Sequence, residues 1–133
     1  MREILFKAKR IDNGEWVFGN YAFCDCYTKQ QHYIFQNKPL EFAIDETTIC
    51  QYTGLTDKNG NKIWENDIMV AHFDDIYPED ESYTQVIWYQ NGFYTKEKMS
   101  PDREPLDDFD SQNYTVCGNI FDNAELLDLV REV

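Results

Sequence analysis

Basic residues are scarce in this sequence. Its 133 residues include 12 lysines and arginines but 25 aspartates and glutamates, which gives a formal net charge of -13. Proteins that bind nucleic acid neutralise its phosphates with lysine and arginine, and an anionic membrane attracts the same side chains. The composition therefore argues against direct binding to nucleic acid and against contact with a membrane.

Long hydrophobic runs are also absent. No apolar segment reaches the roughly 20 residues that a membrane helix needs, and the first residues lack the apolar core and cleavage site of a secretion signal. We therefore expect a cytoplasmic protein. Cysteines in that compartment are kept reduced, so free thiols are expected at Cys24, Cys26, Cys50 and Cys117.

Aromatic residues, in contrast, are plentiful. They make up 16% of the chain, within a hydrophobic total of 42%. Aromatic rings pack well on a pleated surface, so the composition favours strands. The length fits a single domain covering residues 1–133, which can bury a core without disulfide or metal staples.

Three Asn-Gly pairs separate apolar or aromatic segments: Asn13-Gly14, Asn59-Gly60 and Asn91-Gly92. These residue types tolerate the positive φ angles of a two-residue type I′ turn, and such a turn fixes the register of its strands. The sequence therefore predicts three hairpins. They join residues 4–11 to 15–23, residues 51–55 to 62–64, and residues 84–90 to 93–98.

Shorter segments complete the expected secondary structure. Residues 32–36, 68–73 and 114–120 are predicted to be strands because they are short and β-prone. At the C-terminus, Leu126, Val130 and Val133 recur at helical spacing. Asp122 or Asn123 can cap this segment, which predicts a helix that docks on the sheet.

Two segments are strongly acidic. Residues 74–81 and residues 102–110 each contain five carboxylates together with proline. Proline and clustered like charge both oppose regular structure. We therefore interpret both segments as exposed, solvated loops, with cation binding or imitation of DNA as the alternatives.

One segment carries a family resemblance. Residues 51–70 read QYTGLTDKNGNKIWENDIMV and closely resemble the signature of the YopX protein family, QYTGLKDKNGKEIYEGDIV. The opening MREILFKAKR and the closing VCGNIFDNAELL are similar to the family's MREIKFRGK and VIGNIYENPELL. Asn66 stands where the family has Gly. Because Asn also tolerates positive φ, we expect the turn to persist there.

The resemblance implies a protein encoded by a bacteriophage or prophage and located in the cytoplasm of the bacterial host. The family has no agreed activity or catalytic residues, so no residue role carries over. The turn, strand and hairpin around Asn66 are similar to those of SH3-like small barrels. The predicted fold is mainly β: a small SH3-like barrel or meander of short antiparallel strands, with an N-terminal hairpin and one C-terminal helix.

Two local patterns could carry chemistry. Cys24-x-Cys26 with His32 could suggest zinc, but structural zinc sites pair cysteines two to four residues apart and use a matching second pair. We interpret these thiols as small hydrophobes on a strand face. His32 and His72 lie in no catalytic motif. The sequence thus predicts no catalytic, cofactor-binding or metal-binding residue, and no cofactor.

Three functions remain open. The leading hypothesis is a non-enzymatic phage or prophage accessory protein that self-associates into a homo-oligomer, because short edge strands need covering; a host or phage protein is the other partner considered. The second is an acidic DNA mimic that inhibits a host nucleic-acid-binding protein. The third is a Mg²⁺-dependent nucleic-acid-processing enzyme, which would need its carboxylates gathered in one concave pocket.

Overall fold

The computed structural model describes residues 3–26, 29–73, 81–97 and 100–130. The chain is mainly β, with antiparallel sheets and little helix, as the sequence predicted. It divides into two compact units, residues 1–52 and residues 53–133, which we name unit 1 and unit 2. None of the helices in the described ranges is long and apolar enough to cross a membrane.

Unit 1 is built on an N-terminal four-stranded meander. Its elements are β1 (Phe6–Lys9), β2 (Trp16–Cys26), β3 (Lys29–Phe35), β4 (Phe42–Ala43), a 3₁₀-helix (Glu46–Thr48) and the start of β5 (Cys50–Thr56). The strand order is β4-β3-β2-β1-β5, so the fifth strand returns beside the first. Ala8, Ile34 and Ile44 are fully buried at its centre.

The long strand β2 pairs with two neighbours in turn. Residues 16–19 pair with β1, and residues 20–26 pair with β3. Gly19 lies where the pairing changes, at φ 156°. A Cβ atom there would lie 2.5 Å from the carbonyl oxygen of Phe35. Only glycine allows this close approach of two backbones.

Unit 2 repeats the same strand order. After the end of β5 and β6 (Lys62–Trp64) it contains β7 (Asp67–Ala71), β8 (Ser82–Tyr89), β9 (Gly92–Glu97), β10 (Arg103–Pro105), α1 (Asp108–Asn113), β11 (Thr115–Asn119) and a 3₁₀-helix (Ala124–Leu129). The sheet order is β10-β9-β8-β7-β11. Its core holds Ile63, Met69, Ala71, Val86 and Tyr114.

Each unit therefore contains a meander of four strands, a short helix, and a fifth strand antiparallel to the first. This is the meander of short antiparallel strands that the sequence predicted. The described strands do not close into a barrel. The prediction of a single domain stays a prediction.

All three predicted hairpins are present, but their turns differ from the expected type. Positive φ is found at Gly14, Gly60 and Gln90, whereas the three asparagines of the Asn-Gly pairs are absent from the described residues with positive φ. The first loop is longer than expected, because the N–H of Arg10 donates to the carbonyl of Glu15. In the third, Tyr89 pairs with Gly92, so the two loop residues lie one position earlier than predicted.

The second hairpin closes with a three-residue loop. The N–H of Asp57 donates to the carbonyl of Asn61 at 2.8 Å, and that of Gly60 donates back to Asp57 at 3.0 Å. Gly60, at φ 87°, takes the left-handed position that ends such a loop. The expectation for Asn66 is confirmed, since it has φ 71° and its N–H donates to the carbonyl of Val86 at 2.7 Å.

The C-terminal segment of unit 2 differs from its prediction in the type of helix and in its cap. The C-terminal helix is present but is a 3₁₀-helix, and Asn123 precedes it without a capping bond from its side chain. Its side chain instead accepts from the N–H of Asn119 at 3.1 Å. Val130 is fully buried, as the predicted stripe requires; Val133 lies outside the described residues.

The acidic segment 102–110 is also not a loop throughout. It contains β10 and the start of α1. Asp107 caps α1 by accepting from the N–H of Phe109 at 3.0 Å, and Asp110 accepts from the N–H of Asp107 at 3.0 Å. This reciprocal pair gives clustered acids a structural use at a helix N-terminus. Residues 74–80 of the other acidic segment lie outside the described residues.

Asp57 joins two parts of unit 2 through its carboxylate. The backbone N–H groups of Asn59, Asn61 and Val116 each donate to it at 2.9 Å. The side chain is only 3% exposed. Burial raises the pKa of Asp57, but the hydrogen bonds outweigh burial and hold that pKa below its ordinary value. The carboxylate thus fixes the turn after β5 against β11.

We predict that Asp57→Ala lowers the free energy of unfolding by roughly 3 kcal/mol, because it leaves buried N–H groups unsatisfied. Asp57→Asn is expected to cost less, because its amide oxygen still accepts. The difference between wild type and Asp57→Asn should shrink as the pH falls through the lowered pKa of Asp57. Urea unfolding of the two variants checks this. Asp12→Ala is the control, because Asp12 forms an exposed ion pair with Arg10; an equal loss of stability there would contradict the assignment.

Candidate functional site

The Cys24-x-Cys26 pattern and His32 lie in unit 1, whereas His72 lies in unit 2. Cys24 pairs with Gln31 and Phe23 with His32, so Cys24 and His32 lie on neighbouring strands. Cys24 forms part of a disulfide bond, which corrects the prediction that all four cysteines are reduced. A sulfur in a disulfide is not a thiolate and is no zinc ligand. The side chain of Cys26 lies outside the described residues.

The other two cysteines are free thiols, as predicted. Cys50 is buried and its thiol donates to the carbonyl of Thr48 at 3.4 Å. The thiol of Cys117 donates to the carbonyl of Ile68 at 3.3 Å. Burial raises the pKa of Cys117, which disfavours the nucleophilic thiolate.

His32 uses both of its ring nitrogens. Nδ1 forms a hydrogen bond with the hydroxyl of Tyr21, and Nε2 lies 2.6 Å from the carboxylate of Glu46. Burial and the charge of Glu46 raise the pKa of Tyr21. Each ring nitrogen of His32 thus has a polar partner in unit 1. Neither nitrogen is left to ligate a metal or to accept a proton from a substrate.

A concave region in unit 2 is strongly acidic. It is a cavity of about 450 Å³, which we name the acidic cleft. Carboxylates line it from β9, β10 and the start of α1: Glu97, Glu104, Asp107 and Asp110. Aromatic rings line it as well: Phe73, Phe109 and Tyr114. Among the described residues that form its walls, none is basic.

The pKa values of two groups in the acidic cleft are raised, in part by the negative charges around them. The pKa of Asp110 is raised to about 6, first by burial and then by the charges of Asp107 and Glu104, against the opposing hydrogen bond from the backbone N–H of Asp107. The pKa of Tyr114 is raised to about 12, first by burial and then by the charges of Glu97 and Asp110. Like charges thus line one concave space, and of these carboxylates only Asp110 is buried.

The aromatic walls are partly open to solvent. Phe73 and Phe109 are 50% and 57% exposed. Their rings stack with centroids 5.8 Å apart and planes 17° from parallel. Phe73 also meets the edge of Tyr114, with centroids 5.6 Å apart. Exposed rings beside converging carboxylates form a surface that suits an organic cation.

The third hypothesis from the sequence, a Mg²⁺ enzyme, needed carboxylates in a concave pocket. The acidic cleft supplies a concave pocket with carboxylates. However, across residues 3–26, 29–73, 81–97 and 100–130, no three His, Cys, Asp or Glu side chains are grouped so that they could hold a metal ion. The carboxylates of the cleft therefore line one cavity, but they are not grouped as the ligands of a metal ion.

Sequence reasoning missed the acidic cleft as a site. Asp107 and Asp110 have the spacing of a capping box, but that motif usually carries Glu or Gln at its last position. Reading this signal would have placed α1 and the buried Asp110. Nothing in the sequence order indicated that β9 and β10 bring Glu97 and Glu104 to the same cavity.

We predict that Asp110→Asn changes the pH dependence of stability. The folded-state pKa of Asp110 is raised, so its ionisation disfavours the folded state as the pH rises from about 4 through 6. Asn is neutral throughout and can still accept from Asp107. Relative to wild type, the variant should gain in urea midpoint between pH 4 and pH 7. A midpoint difference that does not vary with pH would contradict this prediction.

Comparison with known proteins places the chain in a family. A model of the YopX protein family matches residues 5–128, which is nearly the whole chain. No curated protein matches.

Among solved structures, the chain is similar to the crystal structure of protein EF1440 from Enterococcus faecalis. The TM-score is 0.54 at 22% sequence identity, covering 96% of this chain and 99% of that chain. Similarity at this identity concerns the fold.

The family signature also has a structural explanation. Asp57 and Gly60 form the turn of the second hairpin, and Asn66 and Asp67 form the next turn, where Asp67 accepts from the N–H of Trp64 at 2.8 Å. The resemblance is thus carried by turn chemistry and spans both units. The chain belongs to the YopX protein family.

Proposed function

We propose that this chain is a non-enzymatic interaction module, an accessory protein of the phage or prophage type, that binds a basic protein partner through the acidic cleft. The observation that carries the proposal is the convergence of Glu97, Glu104 and Asp107 with buried Asp110 on one cavity. Their mutual repulsion is relieved when positive charge enters the same space. Binding a cation is therefore favourable at this place.

A binding role rather than catalysis is supported by the state of the reactive groups. His32 has both nitrogens engaged by Tyr21 and Glu46. Cys50 is a buried thiol that donates to a carbonyl. General base and nucleophilic catalysis both need such a group within reach of a substrate.

A basic partner is supported by the charge of the whole chain. A net charge of -13 steers positively charged proteins toward the surface and repels nucleic acid. Proteins that bind nucleic acid present lysine and arginine on their contact surfaces. Host proteins of this class are therefore the partners that best fit, which agrees with the inhibitor hypothesis drawn from the sequence.

We predict that immobilised wild-type protein retains basic proteins from a bacterial lysate at about 50 mM salt and releases them at about 0.5 M salt, because screening weakens exposed charge pairs. The double variant Glu97→Gln, Glu104→Gln should lose them. The control Glu125→Gln, Asp128→Asn changes the net charge equally on the C-terminal 3₁₀-helix and should retain them. Recovery of the same proteins by the cleft variant, or of none by wild type, would count against the proposal.

Self-association is a second candidate, and exposed rings on one hairpin favour it. Trp88 and Tyr89 are 50% and 41% exposed at the end of β8. Trp88 meets Phe93 edge to face at 5.0 Å between centroids, and Tyr89 meets Tyr94 at 5.5 Å. Aromatic residues are enriched at protein interfaces because they bury large areas with few rotatable bonds.

We predict that wild type forms a homo-oligomer through this hairpin end and that Trp88→Ala, Tyr89→Ala shifts it toward the monomer. Both side chains are exposed, so the folded state should persist. Light scattering after gel filtration measures the mass over a range of concentrations. Ile11→Ala, at an exposed apolar position of unit 1, is the control. Wild type that remains monomeric at high concentration would overturn this candidate.

A further inference from the structure

We infer that the acidic cleft is a pocket for one arginine side chain of the partner protein. The inference rests on the proposed function and names the group that is recognised. It draws on three features of the same place: a concave space open to solvent, flat aromatic walls and several carboxylates.

The space fits a side chain rather than a protein surface. Its volume of about 450 Å³ falls within the roughly 300–1,000 Å³ of ligand pockets. It lies in unit 2 among β9, β10 and α1, where the capping pair of Asp107 and Asp110 fixes the start of α1. The wall formed by the start of α1 is therefore fixed by hydrogen bonds within the chain.

The aromatic walls favour a planar cation. Phe73 and Phe109 are nearly parallel, at 17°, and both are half exposed. A guanidinium group is flat, weakly hydrated and stacks on ring faces, whereas the lysine ammonium is a compact, strongly hydrated charge. Contact with these rings therefore discriminates in favour of arginine.

The carboxylates provide the charge and the hydrogen-bond acceptors. Glu97, Glu104 and Asp107 are exposed side chains on the cleft, and none of the described wall residues neutralises them with a positive charge. A guanidinium donates in a fork that matches a carboxylate. A metal ion fits less well, since the described acids do not form a coordinating group.

Titration of the isotopically labelled full chain with N-acetyl-L-arginine amide tests the inference. In amide NMR spectra we expect saturable shifts in β10 and α1. N-acetyl-L-citrulline amide has nearly the same shape without the charge and should cause none. N-acetyl-L-lysine amide should bind several-fold more weakly, because it stacks poorly.

Variants then assign the contacts. Phe109→Ala should weaken arginine binding roughly twofold to fivefold, and Glu97→Gln, Glu104→Gln should weaken it roughly tenfold. Glu125→Gln, Asp128→Asn should leave it unchanged, and the spectra report folding directly. Equal shifts with citrulline, or shifts outside unit 2, would overturn the arginine pocket.

The two proposals can fail separately. One outcome is that basic proteins are retained through Glu97 and Glu104 while the arginine probe causes no saturable shifts. In that case the cleft attracts positively charged surfaces without binding a single arginine side chain, and the arginine pocket is wrong. If the probe saturates the cleft while no basic protein is captured, the pocket stands and the proposed partner class is wrong.

Discussion

One buried carboxylate organises unit 2. Asp57 accepts from three backbone N–H groups, two in its own turn and one in β11. A buried carboxylate left without such donors would be strongly unfavourable, so the turn, the carboxylate and β11 form together. This requirement explains why the most recognisable segment of the sequence is a turn.

The sequence predicted which strands pair more accurately than it predicted the conformation of the turns that join them. Asn-Gly pairs located all three hairpins, yet the positive φ angles fall on Gly14, Gly60 and Gln90. Loop length, which an Asn-Gly pair does not fix by itself, selects the turn type. Asn66 was predicted correctly because only its own backbone conformation was at issue. The disulfide at Cys24 was missed because the expectation rested on the compartment rather than on geometry.

The acidic cleft could not be predicted from composition. Five acids in residues 102–110 suggested a solvated loop, but the capping pair of Asp107 and Asp110 turned part of it into a helix. The same fold places buried Asp110 beside its charged neighbours, at a cost recorded in its raised pKa. Functional sites are commonly found where local interactions are unfavourable although the rest of the sequence favours the fold.

The repeated strand order has a consequence for how the chain folds. In each unit the meander joins neighbours in sequence, whereas the fifth strand pairs with the first across most of the unit. Closing the longer loop costs more entropy, so the meanders can form early and the fifth strands late. During synthesis, β1 therefore has an uncovered edge until Cys50 and Gln51 have left the ribosome and paired with it. In that interval a nascent chain is most open to joining strands with another copy.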